Sequence, residues 1–153
     1  MVRIILVNIH VIAAIVWVGA VFMGAFVDWP AIKESMKNKQ FPYEFIIGQG
    51  KRVFISVYTA ITLLWTTGLA LVVLQPPNNS TGIILLIIKT LSLLLMTLFT
   101  LHGTLSSWPK LQTSTDSEAF KIYEFYIKKA YGTFVFGIIA SLSGLMLRQL
   151  FTF

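Results

Sequence analysis

His10 stands inside an apolar run long enough to cross a bilayer, and Lys89 and Arg148 stand inside two other apolar runs. An ionisable group at membrane depth is costly and by default marks a functional site. His10, Trp17 and Gly24 follow one another at intervals of seven residues, which places them on one face of a helix. This face is therefore the first candidate for a binding site.

Depth estimates group three of these ionisable residues into one layer. A helix rises about 1.5 Å per residue, so His10 and Lys89 each lie roughly 9 Å from the outer edge of the membrane. Arg148 lies roughly 5 Å from the same edge. His102 lies roughly 28 Å along its helix, and Met23 has a similar depth. We therefore predict an outer site around His10 and Lys89, and consider a separate inner site at Met23 and His102.

The residue types exclude several chemistries. The chain has no cysteine, so disulfides, iron–sulfur clusters, thiolate-bound metals and a cysteine nucleophile are absent. The apolar runs hold no pair of carboxylates for acid–base catalysis, and two distant histidines do not make a zinc site. Methionine and histidine are ligands for Cu(I), but the five methionines do not cluster by spacing or depth.

The overall composition is that of a membrane protein. Of the 153 residues, 56% are hydrophobic and 12% are charged, and the mean hydropathy is +0.80; these values place the chain in a lipid bilayer. The net charge of +6 is interpreted as topology signals beside membrane helices. Nothing else in the sequence indicates binding to nucleic acid.

Four apolar runs predict an all-α, up-down four-helix bundle that forms a single transmembrane domain over residues 1–153. The predicted helices are 4–27, 53–74, 83–107 and 131–151, each with the roughly 20 residues that a span needs. Pro30 and Pro109 are expected to end the first and third helices. The segment 116–129 is expected to form a short interfacial helix.

The charges of the loops predict the orientation. Loop two, residues 75–82, carries no charge, whereas loops one and three carry nine basic residues: Lys33, Lys37, Lys39, Lys51, Arg52, Lys110, Lys121, Lys128 and Lys129. The positive-inside rule therefore places loops one and three in the cytoplasm and both termini outside.

Three short motifs, in order along the chain, resemble the CopD-like and HemJ-like superfamily of four-helix membrane proteins. The first helix has His10 followed by Trp17 and Gly19. The second runs from Gly50-Lys51-Arg52-Val53-Phe54 to Thr67-Gly68-Leu69, and the third runs from Lys89 to His102-Gly103. The resemblance covers nearly the whole chain and implies a bacterial or archaeal cytoplasmic membrane.

The two branches of this superfamily imply different functions. The HemJ-like branch implies haem b, protoporphyrinogen oxidation, and iron ligands at His10 and Lys89. The CopD-like branch implies copper uptake. This chain has Asp28-Trp29-Pro30 where HemJ-like proteins have an arginine- and histidine-rich end of helix one. It also lacks the second set of four helices of a full CopD protein.

Three hypotheses follow, in order of preference. The first is a b-type haem protein acting in electron transfer or a membrane redox reaction, with a quinone, porphyrin or redox-protein partner. In it His10 is an axial ligand, Lys89 is the opposite ligand or a propionate partner, Arg148 neutralises a propionate, and Trp17 lies in the site. The second is copper handling between His10 and the inner pair, and the third is an accessory subunit of a larger membrane complex.

Overall fold

The computed structural model describes residues 1–35 and 41–150, and nearly all of them are helical. Six α-helices are interrupted by two π-helical segments: α1 Val2–Phe22, π1 Met23–Asp28, α2 Trp29–Ser35, α3 Tyr43–Leu74, α4 Ser80–His102, π2 Gly103–Ser107, α5 Trp108–Thr113 and α6 Asp116–Leu150.

These elements join into four helices that are long and apolar enough to cross a membrane. We call them spans 1 to 4: Val2–Glu34, Tyr43–Leu74, Ser80–Thr113 and Asp116–Gln149. The prediction of an all-α protein with four membrane-spanning helices is therefore confirmed. The predicted positions of Lys37, Lys39 and Phe151 fall outside the described residues.

The prediction that prolines end spans 1 and 3 is wrong. Pro30 lies within α2 and Pro109 within α5, so each span continues beyond its proline. Proline has no N–H, and its ring collides with the carbonyl four residues before it. The π-helical segments π1 and π2 directly precede the two Trp–Pro pairs. Such wider turns change the hydrogen-bond register, and the helix passes the proline without ending.

Spans 2 and 4 begin earlier than the apolar runs indicate. Span 2 begins at Tyr43, ahead of the predicted residue 53, and α6 begins at Asp116. The expected interfacial helix 116–129 is therefore the first part of one long helix. A side-chain cap explains this start, because the Glu118 carboxylate accepts hydrogen bonds from both the backbone N–H and the hydroxyl of Thr115.

The contacts between helices show an up-down arrangement. In spans 1 and 2, Asp28 accepts a hydrogen bond from Gln49 at one end, and His10 contacts Thr67 at the other. In spans 3 and 4, His102 contacts Lys129 at one end and Lys89 packs against the backbone of residue 144 at the other. Spans 1 and 2 are therefore antiparallel, and so are spans 3 and 4.

Two clusters of buried side chains hold the bundle together. One surrounds the fully buried Trp17 and includes Ala13, Leu64 and Met96. The other lies at the end of the bundle that holds the Trp–Pro pairs, and it contains Trp29, Ile32, Phe41, Ile46, Trp108, Leu111, Ala119, Tyr123 and Ile127. Many large apolar side chains on the outside of the spans remain exposed. A lipid bilayer is the environment that such a surface requires.

Candidate functional site

His10 lies on span 1 and packs its ring against a glycine of span 2. A β-carbon added to Gly68 would lie 3.4 Å from His10 Cε1 and 3.9 Å from His10 Nδ1. The side chain is neither fully buried nor fully exposed. Glycine at this position lets the imidazole lie directly on the backbone of the neighbouring helix.

A hydrogen-bond relay fixes the protonation of the imidazole. His10 Nδ1 is 2.8 Å from Thr67 Oγ1, and the same hydroxyl donates its proton to the Leu63 carbonyl. A threonine hydroxyl has one proton to donate, so Thr67 accepts from His10, and Nδ1 carries the hydrogen. In the neutral ring, His10 Nε2 then has a free lone pair. Among the residues that the structure describes, no hydrogen bond to Nε2 is found.

Lys89 reaches the same layer from span 3. A β-carbon on Gly144 of span 4 would lie 3.2 Å from Lys89 Nζ, so the amine lies on the backbone of a glycine. Lys89 interacts electrostatically with His10. The sequence has no Asp or Glu from residue 45 to residue 115, nor after Glu124. The two basic groups therefore lie in a part of the bundle that supplies no carboxylate.

Each of the four spans thus contributes to one layer. His10 comes from span 1, Thr67 and Gly68 from span 2, Lys89 from span 3 and Gly144 from span 4. Depth arithmetic predicts that His10 and Lys89 lie at one level, and in the structure each packs on a glycine of the neighbouring helix. The depth arithmetic does not identify Thr67 as the residue that orients His10. A Thr-Gly and a Ser-Gly pair on the second and fourth helices are the sequence signal for these contacts.

Trp17 lies two helical turns from His10, in the centre of the bundle. Its side chain is 0% exposed, and its Nε1–H has no hydrogen-bond partner among the described residues. An unsatisfied buried donor costs roughly 1–3 kcal/mol. A polar atom of a bound molecule would remove this cost, so Trp17 remains a candidate contact of the site.

Arg148 lies one helical turn beyond Gly144 on α6 and is exposed. It has interactions within the chain. Arg148 is thus nearer the end of its helix than Gly144, the residue that Lys89 contacts, as the depth estimates predict. The structure does not itself show what Arg148 binds.

The predicted inner residues have other partners. His102 Nδ1 lies 2.5 Å from Lys129 Nζ, which donates the hydrogen bond. Met23 is 49% exposed on span 1. Two polar residues near this level are also engaged elsewhere, since Asp28 binds Gln49 and Tyr58 binds Thr104. The structure therefore gives no sign that Met23 and His102 form one site.

The donor set around His10 and Lys89 limits the chemistry that this layer could support. No group of three or more His, Cys, Asp or Glu side chains that could hold a metal ion is found in residues 1–35 and 41–150. A bare ion would have too few protein ligands here. A metal that brings its own four equatorial nitrogens needs only one or two axial ligands. His10 Nε2 and the amine of Lys89 could supply these.

No protein-family model, curated protein or solved structure matches the chain.

Proposed function

We propose that the chain is a b-type haem-binding integral membrane protein that acts in electron transfer or a membrane redox reaction. The observation that carries this proposal is the relay from His10 through Thr67 to the Leu63 carbonyl, which leaves His10 Nε2 available to bind a metal. Histidines that bind metals characteristically donate their second ring N–H to a neighbouring acceptor. The resemblance to HemJ-like proteins agrees with the same pair of ligands.

The residues of the outer layer have separate roles in this proposal. His10 would hold the iron, and Thr67 would orient the ring. Lys89 would be the opposite ligand or a partner of a propionate. Arg148, near the outer end of span 4, would bind a propionate, which suits a planar guanidinium. The N–H of Trp17 would contact the inner part of the bound group.

Bound haem would supply one-electron redox chemistry. The protein's part is to bind and orient the group and to exclude water from its apolar surroundings. A quinone, a porphyrin or a redox protein remains the proposed partner.

The test is a reduced-minus-oxidised visible spectrum of the protein purified in detergent after expression with haem supplied. The wild-type protein should give a b-type spectrum, and His10→Ala should remove it. His102→Ala is the matched control, because it removes the other histidine and should leave the spectrum unchanged.

Other outcomes identify the alternatives. A spectrum that survives in His10→Ala or is lost in His102→Ala contradicts the proposed ligand. Folded wild-type protein with no haem and with stoichiometric copper would favour copper handling of the CopD-like kind. Folded protein with neither, isolated together with larger membrane proteins, would favour an accessory subunit.

A further inference from the structure

The two Trp–Pro pairs belong to the same local pattern. Residues 24–30 and 103–109 both read G-x-x-x-x-W-P. In each case the tryptophan backbone N–H bonds to the carbonyl of the glycine five residues before it, at the end of a π-helical segment. π-Helices are rare. Two copies with the same sequence pattern and the same hydrogen bond therefore indicate a repeat.

The repeat extends to the candidate ligands. Trp108 follows Trp29 by 79 positions, and Lys89 follows His10 by the same 79 positions. Buried positions between these points also correspond, since Ala13 pairs with Ser92 and Trp17 with Met96, and all four are buried. Spans 1 and 3 are therefore equivalent over most of their length, and His10 and Lys89 are equivalent residues.

Spans 2 and 4 correspond in the same way. Thr67-Gly68-Leu69 has its counterpart 76 positions later in Ser143-Gly144-Leu145. The hydroxyls of Thr67 and Ser143 are both buried, and each donates to the backbone carbonyl four residues before it. We call residues 2–74 hairpin 1 and residues 80–149 hairpin 2.

Equivalent residues make equivalent contacts within the hairpins. In hairpin 1 the ring of His10 lies on Gly68, and in hairpin 2 the amine of Lys89 lies on Gly144. Each contact joins the basic residue of the first helix to the glycine of the second. The correspondence therefore holds in three dimensions as well as in sequence.

The tryptophan of each Trp–Pro pair packs on the other hairpin. Trp29 of hairpin 1 packs on Phe120 and Tyr123 of hairpin 2. Trp108 of hairpin 2 packs on Phe54 of hairpin 1. Each hairpin therefore receives the tryptophan of the other, as two like units about an axis do, but the receiving rings stand at positions that do not correspond.

A tyrosine of spans 2 and 4 contacts the π-helical segment of the other hairpin. The Tyr131 hydroxyl of hairpin 2 donates to the carbonyl of Ala25 in hairpin 1. The Tyr58 hydroxyl of hairpin 1 bonds to Thr104 of hairpin 2. Thr104 follows Ala25 by the same 79 positions, so the two contacted residues correspond, whereas Tyr58 and Tyr131 do not stand at corresponding positions.

We propose that the chain is a tandem repeat of one helical hairpin, and that its ligand binds across the pseudo-two-fold axis between His10 and its counterpart Lys89. Spans 1 and 3 run in the same direction, so the axis lies along the bundle. In this arrangement His10 and Lys89, which occupy equivalent positions, face the ligand from opposite sides. A planar metal macrocycle with two open axial positions has this symmetry. The identity of the ligand rests on the proposed function, whereas the repeat does not.

This arrangement assigns a function to Ser143. It occupies the place of Thr67 and has the same hydroxyl geometry toward its own helix. If the basic residue beside it were a histidine, Ser143 could accept the Nδ1–H just as Thr67 does for His10. Ser143 would therefore position a histidine placed at residue 89, and has no such role toward Lys89.

The test exchanges the two basic residues in the full-length chain. The double variant His10→Lys/Lys89→His is compared with each single variant and with the wild type. The exchange should retain haem at close to the wild-type ratio with an unchanged spectrum, because the same ligand pair is presented from opposite sides. His10→Lys alone should lower haem content about 10-fold or more, and Lys89→His alone should give the spectrum of two imidazole ligands.

A second comparison tests the role of Ser143. Ser143→Ala should reduce haem affinity about 10-fold in the exchanged protein and have little effect in the wild type. Ser141→Ala is the matched control, since its hydroxyl also bonds to a carbonyl of its own helix but is two residues away on an exposed position. An exchanged protein that folds but binds no haem, while Lys89→His binds it, would overturn the equivalence.

Melting temperatures of the haem-free proteins separate the two proposals. His10→Lys places two amines in a layer without carboxylates and should lower the melting temperature, and adding Lys89→His should restore most of the loss. If the wild type binds no haem but this restoration occurs, the proposed function fails and the repeat stands. If the double variant loses as much as the two single variants together, the equivalence of the two positions is wrong.

Discussion

Thr67 accepts a hydrogen bond from His10 Nδ1 because its only proton goes to the carbonyl of Leu63. This relationship sets the ring orientation and leaves Nε2 as the free nitrogen. It also makes the hydroxyl of Thr67, and not its size, the feature on which a ligand at His10 depends.

Thr67→Val tests this dependence, since valine keeps the shape and removes the hydroxyl. We expect haem affinity to fall about 10- to 100-fold, the usual effect of removing a group that orients a ligand. Titration of the haem-free protein with haem, followed by absorbance, measures the change. Thr66→Val is the control, because Thr66 is exposed and bonds to its own helix; an equal loss in both variants would refute a specific role for Thr67.

Gly50 allows spans 2 and 3 to approach at the end of the bundle that holds Trp108. A β-carbon at this position would lie 2.2 Å from Trp108 Cη2 and 2.3 Å from its Cζ2. The ring belongs to a buried cluster, so Gly50→Ala should lower the free energy of unfolding by about 1–3 kcal/mol through overpacking.

Gly48→Ala is the matched control on the same helix, because no heavy atom lies within 4 Å of the added carbon. It should be neutral or stabilise the protein by up to about 1 kcal/mol, through helix propensity alone. Thermal unfolding in detergent measures both variants. If Gly50→Ala melted at or above the temperature of Gly48→Ala, the close packing of Gly50 on Trp108 would be refuted.

The orientation predicted from the loop charges can be tested without background labelling, since the chain has no cysteine. Asn78→Cys should react with a membrane-impermeant maleimide on intact cells or spheroplasts. Gln112→Cys should react only after the membrane is permeabilised. Both side chains are exposed, so the difference reports sidedness; the reverse pattern would invert the topology.

The copper alternative makes its own prediction at the inner residues. If Met23 and His102 formed a metal site, Met23→Ala and His102→Ala would each lower the Cu(I) affinity of the purified protein. We expect neither substitution to lower the Cu(I) affinity, because His102 contacts Lys129 and the Met23 side chain is half exposed on the surface of the bundle. Competition with a Cu(I) chelator measures the affinity, with Met146→Ala, another exposed methionine, as the control.

The sequence by itself determined the membrane class and the four helices, and it predicts the layer that contains His10 and Lys89. These features depend on local properties, namely the length of each apolar run and the constant rise of a helix. It also displayed the repeated G-x-x-x-x-W-P pattern, whose meaning becomes clear only when equivalent residues are seen to make equivalent contacts.

Only the tertiary structure decided how Pro30 and Pro109 are accommodated, which hydroxyl orients His10, and that His102 contacts Lys129. Each of these depends on contacts or hydrogen-bond registers that composition and periodicity do not encode. The rotation of one helix against the next is set by the fit of side chains onto glycines such as Gly68 and Gly144. That fit brings together residues far apart in the chain, so it appears only after the bundle is assembled.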